Sequence, residues 1–126
     1  MVVHLHYTIR LICSLQENRD ETQNGEVFYM KTYTICGSMR FEKEMKKIAY
    51  DLETSKGYNI LQCVYCEENV VPTEEELVRL AEAHYRKIDL ADGIYVVNID
   101  GYIGASVKRE IEYAEKLGKE VLFHYK

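Results

Sequence analysis

From Lys31 onward, hydrophobic positions alternate between two rhythms, a short β-rich run followed by a stretch of helical period. Thr32 to Ile35 reads as a strand that breaks at Cys36-Gly37-Ser38. Phe41, Met45, Ile48, Ala49 and Leu52 then recur on one helical face, with Glu42, Lys43, Lys46, Lys47 and Asp51 on the other. Gly57, a residue that tolerates left-handed geometry, marks the end of that helix. Asn59 to Tyr65 reads as a second strand. Thr73 and Glu76 have the spacing of a capping box and predict a helix to about Ile88, with Leu77, Leu80, Ala81 and Ile88 as its apolar stripe. Gly93 to Asn98 is a continuous apolar run, as expected of a strand covered on both faces. The loop Ile99 to Ala105 leads to a helix from about Ser106 to Leu117, and Val121 to Phe123 is the last strand. Strands and helices in this alternation predict an α/β fold. The expected architecture is a small doubly wound, flavodoxin- or Rossmann-like parallel sheet of four to five strands with helices on both faces.

The first 29 residues break the rhythm. Val3, Leu5, Tyr7, Ile9 and Leu11 alternate with His4, His6, Thr8 and Arg10, a strand period, and Asn18 to Gly25 is polar and turn-like. Residues 1–29 are expected to be an N-terminal extension, an edge strand plus linker, ahead of a domain over 30–126. A second reading has the native chain start at Met30 and makes the extension dispensable.

Charge and length narrow the classes. The 126 residues suffice for one core, and 16 Lys+Arg against 21 Asp+Glu give a net charge of -5. That balance disfavours a nucleic-acid polymer as partner, because such binding draws on many cationic contacts to phosphate. No apolar run approaches the roughly 20 residues that span a bilayer, so no membrane association is expected. Cys13, Cys36, Cys63 and Cys66 read as reduced thiols of a cytoplasmic protein. Cys63 and Cys66 have metal-like spacing but no second pair. On an extended strand they would face opposite ways, so packing is the expected role and neither a metal nor a cofactor is expected.

In open parallel sheets, ligands bind beyond the carboxyl ends of the strands. After the first strand, Gly37 would let the backbone approach a ligand, Ser38 offers a hydroxyl, and Arg40 places a cation at a helix start. A plain turn capped by Ser38 explains the same residues. After the third strand come Asn98, Asp100, Tyr102, Gly104 and Ser106, with Glu110 one helical turn beyond Ser106 on the same face. Glu110 is read there either as a working carboxylate or as an acid favoured by the helix dipole.

Cys36-Gly-Ser-Met-Arg40, Ala91-Asp92-Gly-Ile-Tyr-Val-Val-Asn98, Gly101-Tyr-Ile-Gly104-Ala-Ser106 and Glu110-Ile-Glu-Tyr-Ala114 together resemble the nucleoside 2-deoxyribosyltransferase superfamily. That superfamily includes 2′-deoxynucleoside 5′-monophosphate N-glycosidases. The resemblance spans roughly residues 31–126 and implies cleavage or transfer at the N-glycosidic bond of a nucleoside or nucleotide. It implies Glu110 as nucleophile, a phosphate seat at Gly37, Ser38 and Arg40, and a homodimer or larger homo-oligomer. The family often carries an aspartate eight residues before the aspartate of the Ala-Asp pair, and here that position is His84. The acid role then falls to His84, whose kind titrates near neutrality, or to Asp89, with Asp92 and Asp100 as further carboxylates. A non-catalytic nucleotide-binding or sensing protein is the rival expectation. Phosphoribohydrolase chemistry ranks lower, since its Pro-Gly-Gly-x-Gly-Thr loop is absent.

Overall fold

A computed structural model describes residues 29–125, so the expectations for the N-terminal extension fall almost wholly outside the described residues. Four strands, β1 (Thr32–Gly37), β2 (Asn59–Leu61), β3 (Gly93–Val97) and β4 (Glu120–Phe123), form one sheet in the order β2-β1-β3-β4. Every pairing is parallel. Three α-helices connect them: α1 (Glu42–Asp51), α2 (Glu74–Leu90) and α3 (Ala105–Lys116). The winding reverses between β1 and β3, as the doubly wound expectation requires.

Strand alternation divides the core into two layers. Tyr33, Ile35 and Val97 meet Met45, Ile48 and Ala49 of α1 on one face. Cys36, Ile94 and Val96 meet Ile88 of α2 and Val107 and Ala114 of α3 on the other. Thr34 also faces α2, where its buried hydroxyl donates to the carbonyl of Lys87 at 2.8 Å. Gly93 opens β3 where the backbone of Glu120 passes so close that no Cβ fits between them.

The amino ends of the strands are tied by two carboxylates. Asp92 accepts from the backbone N–H of Thr32 and the hydroxyl of Tyr29, each at 2.8 Å. Glu120 accepts from the Tyr33 hydroxyl at 2.7 Å and Lys31 Nζ at 3.0 Å. These donors hold both carboxyls below their ordinary range.

Two expectations need correction. The second strand ends at Leu61 rather than Tyr65, because β2 is an edge strand whose register with β1 runs only from Thr32↔Asn59 to Thr34↔Leu61. Beyond it the chain turns away without regular structure to the start of α2. The second correction concerns α2, whose stripe is not core. Only Ile88 is fully buried, while Leu77 and Ala81 remain exposed. The capping box itself forms as expected, with Thr73 and Glu76 bonded reciprocally at 3.2 and 3.0 Å.

Candidate functional site

At the carboxyl ends of β1 and β3, where the winding reverses, lies a hollow of about 260 Å³. Gly37 and Met39 from the turn after β1 form one wall. Ser106 and Glu110 come from the first turns of α3, and Leu77, Leu80, Ala81, His84 and Lys87 from α2. Those five positions recur at helical spacing, so the stripe left out of the core is the wall of the hollow. Cys63, Val64 and Cys66 close the remaining side. Because the strand has ended at Leu61, the two cysteines face the same space, not opposite faces.

Three side chains from three elements converge here, His84 and Glu110 in the lining and Cys36 buried behind it. His84 Nε2 lies 3.0 Å from Glu110 Oε1, and both side chains are nearly buried, at 12% and 14% exposure. The same nitrogen lies 3.5 Å from Cys36 Sγ. Donor atoms of Cys36, His84 and Glu110 all fall within 4.8 Å of one another. Burial pushes the Cys36 thiol well above its ordinary range, and the neighbouring Glu110 adds to the effect. His84 Nδ1 is buried with no hydrogen-bond partner among the described residues.

The structure thus brings Glu110, His84, Ser106 and the Gly37 backbone together and distributes the other named residues around them. Arg40 lies outside the lining, its guanidinium stacked on Tyr102 at 4.1 Å from the ring centroid. Phe41 meets the same ring edge-on. Ser38 caps the short turn Met39–Phe41, its hydroxyl accepting from the Arg40 N–H at 3.4 Å. Gly104 is the N-cap of α3, and Ser106 also accepts from Arg109 at 3.4 Å. Asp100 is an exposed residue of a tight turn with φ 53°.

Four residues have structural work, beside or in place of the contact expected of them. Gly37 packs closely on the core, where a Cβ would stand 3.0 Å from Met45 Sδ and 3.2 Å from Val97 Cβ. Asn98 is turned to the last residues of the chain, where its side chain bonds both the N–H and the C=O of Tyr125 at 2.8 Å. Asp89 does not line the hollow, and its carboxylate accepts from the Tyr113 hydroxyl. Asp92, likewise, holds the start of β1.

Sequence reasoning missed Cys36 as a member of the cluster, along with Lys87 and the Cys63–Cys66 wall. The signal for Cys36 was available, because period-2 alternation from Thr34 aims it at the face that α2 covers. The wall beyond β2 had no such signal, because its path is irregular. No helix among the described residues is long and apolar enough to cross a membrane. No family model, curated protein or solved structure matches the chain.

Proposed function

We propose that this protein cleaves the N-glycosidic bond of a nucleoside or nucleoside 5′-monophosphate, or transfers its deoxyribosyl group, with Glu110 as nucleophile. The observation that carries the reading is the Glu110 carboxylate, held at 3.0 Å by His84 in a hollow at the sheet's switch point. The motifs that resemble the deoxyribosyltransferase superfamily add to it.

His84 holds Oε1 and leaves Oε2 free to attack the anomeric carbon. The new carbon–oxygen bond forms as the bond to the base nitrogen breaks, and the base leaves with that electron pair. The departing base takes its proton from solvent in the hollow, because His84 turns Nε2 to Glu110 and buries Nδ1. Water or a second base then displaces Glu110 from the sugar, which ends with its original configuration. The carboxylate also stabilises the positive charge that develops on the sugar ring. Arg40, next in sequence to Met39 of the lining and stacked on Tyr102, supplies the cation for a 5′-phosphate. A second copy of the chain would cover Val64 and Leu77 of the lining, both more than half exposed.

The test is incubation with deoxynucleosides and their 5′-monophosphates, with free base followed by chromatography. Glu110→Ala should abolish base release, and full turnover by that variant overturns the assignment. A non-catalytic nucleotide sensor is the second reading, favoured by the closure of His84 and Glu110 on each other. Calorimetric binding of a nucleotide with no base released over hours would establish it.

A further inference from the structure

Cys36, His84 and Glu110 supply a thiol, an imidazole and a carboxylate from β1, α2 and α3. Those are the three ligand types that zinc takes. With bonds of roughly 2.0–2.3 Å, the edges of a tetrahedral zinc site are about 3.3–3.6 Å long. Sγ and Nε2 are already 3.5 Å apart, Nε2 and Oε1 at 3.0 Å open by a few tenths of an ångström on binding, and the thiol and carboxylate, within 4.8 Å of each other, draw together by up to about 1 Å. We propose that these three side chains form a binding site for a zinc-class divalent cation, with the fourth position open toward the hollow.

Zinc takes a cysteine as its thiolate, so loading releases the Cys36 proton to solvent. Among the described residues His84 Nδ1 has no acceptor behind it, whereas a tightly held zinc usually has its histidines fixed by an outer hydrogen bond. The site is therefore an exchangeable one, weaker by roughly 10–100-fold than a supported zinc centre with the same ligands. Occupation takes both His84 and Glu110 away from a substrate. If the glycosidic reading is right, the bound cation is an inhibitor, and that consequence alone rests on that reading.

The test is a cobalt(II) titration of the full chain, which reports a sulfur ligand as a thiolate-to-metal charge-transfer band. One equivalent of cobalt should produce the band and zinc should bleach it. A variant with Cys13→Ser, Cys63→Ser and Cys66→Ser keeps Cys36 as its single thiol and should keep the band. Cys36→Ser should lose it, and Glu110→Gln should weaken binding by about tenfold or more. The proposal is overturned if the triple variant, folded by circular dichroism, shows no band. It is equally overturned if Glu110→Gln binds cobalt as tightly as the parent chain. Zinc should also suppress base release. A chain that binds cobalt but releases no base refutes the glycosidic reading and leaves the metal site standing.

Discussion

Gly93 and Gly37 both lie in the sheet, and substituting each by alanine separates two kinds of close packing. At Gly93 the added methyl would fall onto the carbonyl oxygen of Glu120 and 3.0 Å from that residue's carbonyl carbon and Cβ. The obstacle is mostly backbone of the paired strand, in register with Gly93, so relief requires β3 and β4 to part at their first pair. Overpacking of this kind costs about 3 kcal/mol. Replacing glycine also removes unfolded-state freedom, which returns about 0.7 kcal/mol, so Gly93→Ala should lose about 2 kcal/mol net. At Gly37 the nearest obstacle is the Met45 sulfur at 3.0 Å, the end of a flexible side chain, and the steric cost there is about 1 kcal/mol. The same entropic return nearly cancels it, so Gly37→Ala should sit within about 0.5 kcal/mol of the parent. Urea unfolding read by circular dichroism gives both numbers. Equal stability of the two variants would refute the claim that backbone contact, not side-chain contact, makes a glycine irreplaceable here.

Three other outcomes follow from the contacts described. Asn98→Ala removes two hydrogen bonds to Tyr125 from a buried position and should cost about 2 kcal/mol in urea unfolding; an unchanged midpoint contradicts that role. Asp92 and Glu120 are held below their ordinary carboxyl range, so the stability they contribute is present above the unfolded-state values of 3.8 and 4.5 and drains away as pH falls through the lower folded-state values. Carrying Asp92→Asn and Glu120→Gln together should flatten the acid side of the stability profile, and an equally steep acid loss in that variant would place its origin elsewhere. Arg40→Ala should raise KM for a deoxynucleoside monophosphate by about tenfold and leave the unphosphorylated nucleoside unaffected; equal effects on both would deny Arg40 the phosphate.

The alternation of periods made the sheet legible because burial on both faces leaves little freedom. Gly93 to Val97 can read as continuous hydrophobic sequence only in a central strand, and there it lies between β1 and β4. At the sheet's other side β2 pairs, among the described residues, with β1 alone, and the residues after Leu61 line the hollow instead of a ladder, so local pattern overestimated its length. The site was legible in part for the same reason. Glu110 and Ser106 share a helical face by spacing alone, and both line the hollow. Gly37 and Asn98 carried the right address but a different task, since the sequence does not distinguish a glycine that admits a ligand from one that admits Met45 and Val97.

The reading of α2 shows most clearly where pattern and function separate. A stripe of Leu77, Leu80, Ala81, His84 and Lys87 has the period of a core face. A core face ends in residues that lose water completely, as Ile88 does, whereas this one carries an imidazole and an ammonium at the positions nearest the sheet. Burying those two groups against hydrocarbon would cost more than the flanking leucines return, so their side chains line a space left beside the sheet, even as the Lys87 carbonyl bonds Thr34 of β1. That space is the hollow, and His84 is stable in it because Glu110 answers its Nε2 from the opposite wall. The polar interruptions of an otherwise apolar stripe therefore locate the site, and the residue that meets them from across the gap names its chemistry.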